Sequence, residues 1–189
     1  MSYWYFLWAL TAAWVAFELW LIVRDRAQGK GTREKDRGSL YFNFFSIAVG
    51  MTAAGEISGK GLLLPWRWTA AGFWIGFAIM LLGLSFRIWS ILVLGKSFRT
   101  TVETHENQAV VSSGPYRILR HPSYSGLVVM CLGYGLAVQN WLSLFIVVAL
   151  PLAALLYRIH VEEAVLVAAL GSPYREYQKR TKKLVPWIW

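Results

Sequence analysis

The chain has 189 residues, 57% hydrophobic and only 15% charged, with 11 tryptophans and a net charge of +9. Soluble domains sit near about 45–50% apolar with about 25% charged residues, so this composition and a mean hydropathy of +0.44 exclude an ordinary soluble globule and indicate one polytopic membrane domain. The basic residues lie in loops beside apolar runs, which argues against a nucleic-acid partner and fits loops facing anionic lipid.

The first apolar run, residues 4–23, is long enough to cross a bilayer of about 30 Å. Trp4, Tyr5, Trp8 and Trp20 sit toward its ends, as interfacial aromatics do. No basic n-region precedes it, so it reads as a retained span rather than a signal peptide. Glu18 lies within it, one to two turns from its end. It reads either as a functional intramembrane carboxylate or as a side chain reaching for the interface. A polar loop follows at residues 24–37, with six cations against Asp25, Glu34 and Asp36.

A second span is expected at 40–54 and a glycine-rich connector at 55–64. A third, long span covers 66–94, and its Arg87 is expected to face protein or the membrane boundary. Residues 96–122 are polar. Apolar runs at 124–138 and 141–157 flank Gln139-Asn140 and read as a helical hairpin. Beyond Arg158 come a further helical stretch at 161–170, Gly171-Ser172-Pro173 and a short polar helix.

The basic loop at 24–38, the polar segment at 96–122 and the basic tail fall on one side of this arrangement. The weakly charged connectors fall on the other. The positive-inside rule then places the N-terminus outside and the C-terminus in the cytoplasm. The expected fold class is all-α, a polytopic integral membrane protein of about five transmembrane helices with a cytoplasmic C-terminal helical cap. Residues 1–94 form its first three spans and 95–189 its core, within one structural domain.

Standard soluble motifs are missing. Gly59-x-Gly61 and Gly133-x-Gly135 follow no strand and do not continue as a dinucleotide fingerprint. No Gly-x-Ser-x-Gly elbow occurs. His105, His121 and His160 lack metal-ligand spacing, and the single Cys131 adds no partner, so no metal site is expected.

Two polar clusters stand out instead. The stretch Gly114-Pro115-Tyr116-Arg117-Ile118-Leu119-Arg120-His121-Pro122-Ser123-Tyr124-Ser125-Gly126 crowds aromatics and cations against the start of a span. Pro122 suits the first helical turn. The free N–H groups there, with Arg117 and Arg120, make an anion-friendly corner, and Tyr116 and Tyr124 can face a cation or stack on a planar base. A basic aromatic membrane anchor accounts for the same residues. The second cluster is Arg158-Ile159-His160-Val161-Glu162-Glu163. Arg158 and Glu162 share a helix face and could form a simple ion pair, although the cation-first order is the weaker one. The topology puts both clusters on one membrane face, where they could line one pocket.

The C-terminal half resembles the isoprenylcysteine carboxyl methyltransferase family, part of a wider group of membrane methyltransferases that includes phospholipid methyltransferases. The resemblance rests on Gly114-Pro115-Tyr116, Arg120-His121-Pro122-Ser123-Tyr124-Ser125-Gly126, Glu162-Glu163, Gly171-Ser172-Pro173-Tyr174-Arg175-Glu176-Tyr177 and Pro186, in that order over residues 95–189. Asp36-Arg37-Gly38-Ser39 is a weaker likeness.

The resemblance implies S-adenosylmethionine as cofactor, held in a cytoplasm-facing pocket without a soluble nucleotide fold. It implies cofactor contacts from Gln108, Ala109, Val110, Val111, Tyr116, His121, Pro122, Ser123, Tyr124 and Glu162. Gln108 departs from a family histidine. Arg158 matches the arginine that handles a substrate carboxylate, with Arg120 and Glu163 as support. The implied partners are the bilayer and a lipophilic substrate entering from it, such as a prenylated cysteine; the residues do not specify an oligomeric state. Three competing readings are a phospholipid amine methyltransferase, an NADPH-dependent sterol-type reductase and a non-catalytic membrane scaffold.

Overall fold

A computed structural model describes residues 3–28, 38–58, 69–100 and 110–186, without the side chains of Arg26, Gln28 and Lys96. The described residues form α1 (Tyr3–Gln28), α2 (Ser39–Ile57), α3 (Ala70–Leu94), α4 (Pro122–Val138), α5 (Trp141–Leu170) and α6 (Ser172–Arg180). Short 3-10 turns follow α3 and precede α4 at Gly95–Ser97 and Gly114–Arg117. The only β feature among them is an isolated bridge between Leu119 and Lys182. The all-α membrane expectation therefore holds.

Four helices are long and apolar enough to cross a bilayer: α1 over Tyr3–Asp25, α2, α3 and α5. The fifth apolar helix, α4, has 17 residues and reaches only about 26 Å at 1.5 Å per residue. Its start is fixed at Pro122, whose missing N–H costs nothing at the first helical position. The outer faces carry exposed Tyr5, Phe6, Leu19, Phe45, Ile75, Leu82, Leu92 and Phe145. An apolar exterior of this kind suits hydrocarbon rather than water.

Local chemistry sets the helix ends. Thr69 caps α3 by accepting the Gly72 N–H at 3.1 Å. Asn140 caps α5 by accepting the Ser143 N–H at 3.0 Å. Gln139 takes φ +61° to close the turn between α4 and α5. Gly171, at φ +61°, ends α5 where a side chain would be strained.

The sequence reading split the last apolar region into 141–157 and 161–170, but α5 runs through both as one 30-residue helix. The charged residues between them do not break it, because Arg158 and Glu162 find partners on other elements. Pro151 does not break it either; it is buried in the middle of α5, near Gly50 of α2.

Packing is closest between α3 and α4. Gly76 and Gly83 on α3 face Gly133 and Gly126 on α4, the pair on each helix standing seven positions apart. A Cβ at Gly83 would lie 2.4 Å from the Met130 nitrogen, and one at Gly133 only 2.2 Å from the Met80 nitrogen. The two backbones touch, as small residues allow in membranes. At the same end as the α4–α5 turn, Ser143 donates to the Ala54 carbonyl at 2.8 Å and Asn140 to the Ile57 carbonyl at 3.3 Å, fastening α5 to α2.

The intramembrane charges pair with each other. Glu18 is buried, so the interface-reaching reading fails: Arg87 donates to its two oxygens at 2.6 and 2.7 Å. Arg87 faces protein, as expected.

Candidate active site

The two polar clusters converge. One pocket is lined by Tyr116, Arg120, His121, Ser123 and Tyr124 from the loop and the first turn of α4, and by Arg158, Glu162, Val165 and Leu166 from α5. Val110 and Val111 close another side, and Tyr174 and Tyr177 of α6 complete the wall. Leu94 at the end of α3, with Phe98 and Arg99 just beyond it, forms the remaining edge.

Tyr124 joins the clusters. Arg158 Nε donates to the Tyr124 hydroxyl at 2.8 Å, and that hydroxyl donates to Glu162 Oε2 at 2.7 Å. The phenol thus stands between the two charges that the sequence suggested as a simple pair. His121 stacks on Tyr124 with centroids 5.5 Å apart and planes 4° from parallel. Its Nδ1 lies 4.0 Å from Glu162, and its Nε2 lies 3.3 Å from Glu163.

Arg158 is only 4% exposed, and each guanidinium nitrogen has a fixed partner. Besides Tyr124, Nη1 donates to Ser39 Oγ at 3.0 Å and Nη2 donates to the Thr100 carbonyl. Thr100 in turn donates its N–H to the buried Asp25 carboxylate at the end of α1. The guanidinium is therefore held by α2, α4 and the segment after α3 at once. Buried charges need such partners.

The loop before α4 is shaped by the C-terminal tail. Arg120 N donates to the Lys182 carbonyl at 2.7 Å, Lys182 N to Ile118 at 2.9 Å and His121 N to Lys183 at 3.1 Å. Arg120 binds Glu163 through Nε at 2.7 Å, and through Nη1 it reaches the Gln178 and Thr181 carbonyls at 3.0 and 2.6 Å. Tyr177 donates to the Tyr116 carbonyl at 2.7 Å. Ser125 donates to the Leu184 carbonyl at 2.6 Å. These bonds make the tail part of the pocket's frame. Burial pushes the phenols of Tyr116, Tyr174 and Tyr177 well above the usual tyrosine range, so all three stay neutral at any physiological pH.

Of the expected site residues, Val110, Val111, Tyr116, His121, Ser123, Tyr124, Arg158, Glu162 and Arg120 line the pocket. Pro122 does not line it; it is buried at the start of α4. Glu163 sits behind the wall and ties Arg120 and His121 together. Gln108 and Ala109 lie outside the described residues. Asp25, Phe98 and Arg99 were missed. The polar Asp25 gave no signal within a charge-rich loop. Ser39, flagged only through a weak likeness, is a direct partner of Arg158.

Comparison with known proteins adds a family to this geometry. Residues 71–172, more than half of the chain, match the family described as Phospholipid methyltransferase. The protein-S-isoprenylcysteine O-methyltransferase B of Arabidopsis thaliana is 30% identical over 127 residues, covering 66% of this chain and 64% of that protein. The Schizosaccharomyces pombe protein-S-isoprenylcysteine O-methyltransferase is 31% identical over 109 residues, covering 57% and 46%. A solved structure of the eukaryotic intramembrane Ras methyltransferase, isoprenylcysteine carboxyl methyltransferase, superposes with a TM-score of 0.61 at 26% identity, covering 77% of this chain and 52% of that one. The chain thus spans less than two thirds of these relatives. The shared fold and the apolar helices make it an integral membrane protein. It belongs to the phospholipid methyltransferase family, and within that family it is similar to the isoprenylcysteine carboxyl methyltransferases.

Proposed function

We propose that this protein is an integral membrane methyltransferase that uses S-adenosylmethionine to methylate the carboxylate of a prenylated cysteine or a similar lipophilic acid. The observation that carries the reading is the Arg158–Tyr124–Glu162 chain at the pocket wall. It joins a fixed cation and a carboxylate through one phenolic hydroxyl.

The pocket residues fit the cofactor chemically. Aromatic faces at Tyr116 and in the His121–Tyr124 stack suit a sulfonium cation. Glu162 can accept hydrogen bonds from ribose hydroxyls or from the amino group. Val110, Val111, Val165 and Leu166 suit a flat base. Gln108 and Ala109 precede this strip and are assigned with it. When bound, the cofactor supplies an electrophilic methyl group on sulfur.

The chain's own residues do the rest. A carboxylate is ionised at neutral pH, so no general base is needed. Arg158 orients it, and because the guanidinium is already fixed on three sides it needs no rearrangement during the reaction. With the cofactor held by Tyr116, His121, Tyr124 and Glu162, the substrate oxygen would take the methyl group from sulfur, with a neutral thioether and a neutral ester as products. The neutral phenols around the pocket add no repelling charge. By the positive-inside rule, this end of the helices faces the cytoplasm and the N-terminus lies outside.

One observation favours a second reading, phospholipid amine methylation: the family match carries that description. An amine must lose a proton before it attacks, and Glu162 is the carboxylate in the pocket wall that could take it. Binding of S-adenosylhomocysteine to the detergent-solubilised protein, with NADPH as control, tests the class. Saturable binding that is lost in Glu162→Ala and His121→Ala supports a methyltransferase. Binding of NADPH alone would sink it.

A further inference from the structure

Outside the pocket, α1 and α3 share a buried ion pair. Glu18 is 3% exposed and Arg87 is 7% exposed. Arg87 presents Nε and Nη2 to the two carboxylate oxygens at 2.6 and 2.7 Å. Trp14 Nε1 adds a further donor to Glu18 at 2.9 Å. Ionised groups at this depth are costly, and well-packed apolar residues often give equal or better stability. Holding α1 to α3 therefore does not by itself account for a charged pair here.

The remaining arm of the guanidinium does. Arg87 Nη1 donates to the Ser123 carbonyl at 3.3 Å. Ser123 lines the pocket and lies in the first turn of α4, directly before Tyr124. One turn further, Gly126 lets α4 lie against the backbone of Arg87: a Cβ there would stand 2.8 Å from the Arg87 nitrogen. Backbone and guanidinium of one residue thus both meet the start of α4. Glu18 holds Arg87 through Nε and Nη2, and Nη1 reaches the Ser123 carbonyl. The next residue, Tyr124, must hold its hydroxyl between Arg158 and Glu162.

We propose that Glu18 and Arg87 are positioning residues for the pocket: the pair sets the first turn of α4, and through it the Tyr124 hydroxyl and the affinity for cofactor. The inference rests on reading the pocket as the S-adenosylmethionine site. Arg87 touches no reacting atom; it acts through the first turn of α4, and cofactor affinity is the quantity that reads this effect without the substrate.

The test is the double variant Glu18→Leu/Arg87→Met, which replaces the pair with apolar packing. Three quantities are compared with wild type in the same detergent: the melting temperature, the affinity for S-adenosylhomocysteine, and hydrogen exchange at residues 122–127. The expected result is a melting temperature close to wild type, affinity weaker by about tenfold or more, and faster exchange in the first turn of α4. A well-folded double variant with wild-type affinity and wild-type protection would overturn the proposal. If that variant does not fold, Arg87→Lys decides. It keeps the charge beside Glu18 but lacks the fork that reaches both the carboxylate and the Ser123 carbonyl. The same losses are expected there, and their absence overturns the proposal. Failure of the wild-type protein to bind S-adenosylhomocysteine would remove the cofactor reading, while the exchange comparison still decides the positioning role.

Discussion

The two ends of the helix bundle are built on different principles. At the α4–α5 turn, helices meet through glycines, small residues and a few neutral hydrogen bonds such as Ser143 to Ala54 and Asn140 to Ile57. At the pocket end, α2, α4, α5, α6 and the tail are joined by charged groups with several partners each, among them Arg158, Arg120 and Glu163. The first end depends on shape, and losing one contact there lets neighbours relax. The second depends on complete pairing, and losing one member leaves a buried charge without its counterpart. That contrast teaches where function resides. A membrane protein tolerates such a dense charged network where its geometry is needed for chemistry.

The contrast can be broken by substitution. Arg158→Ala should have the largest effect. It strips partners from Tyr124, Ser39 and the Thr100 carbonyl, and breaking a buried charged network costs about 3–5 kcal/mol. Methyl transfer should fall below detection even in the fraction that folds, as read by a labelled-methyl assay. Gly83→Val comes next. Its side chain would meet the backbone of α4, and separating the two helices should cost about 1–3 kcal/mol or more, measured as a lower melting temperature in detergent.

Tyr124→Phe removes only the hydroxyl between Arg158 and Glu162. Activity should drop by roughly tenfold or more, since hydrogen bonds to charged groups contribute about 1.5–3 kcal/mol, with a smaller change in melting temperature. At the opposite end, Ser143→Ala should cost about 1 kcal/mol and leave turnover unchanged. If Ser143→Ala reduced turnover as strongly as Tyr124→Phe, the division between the two ends would be wrong.

The smallest effect concerns pH. Tyr116, Tyr174 and Tyr177 have phenols raised by burial. Above the ordinary tyrosine range, the unfolded chain loses phenol protons that the folded chain keeps. Their contribution to stability is therefore complete below about pH 10 and declines as the pH rises beyond it. Melting temperatures should carry no tyrosine-dependent slope from neutral pH to about pH 9, and above pH 10 they should fall less steeply in Tyr174→Phe than in wild type.

Much of this was readable from the residues. The apolar runs placed the helices, and Pro122 and the Gln139-Asn140 turn placed two of their ends. The Arg120-His121-Pro122 and Glu162-Glu163 clusters marked two walls of the pocket. The continuity of α5 was not readable, because the charged residues Arg158 to Glu163 look like a span's end until Tyr124, Ser39 and Thr100 are seen to satisfy Arg158. Nor was the partnership of Glu18 with Arg87. They lie 69 residues apart, and periodicity carries no information about which intramembrane charge meets which. Asp25 was hidden for the same reason. Its role lies in a contact with Thr100, across 75 residues.

The most direct measurement uses purified protein in bilayer nanodiscs with methyl-labelled S-adenosylmethionine, offering a prenylated cysteine with a free carboxylate and phosphatidylethanolamine side by side. The account predicts label on the prenylcysteine, released by mild base as methanol because the product is an ester, and lost in Arg158→Ala. Base-stable label on phosphatidylethanolamine alone would contradict it.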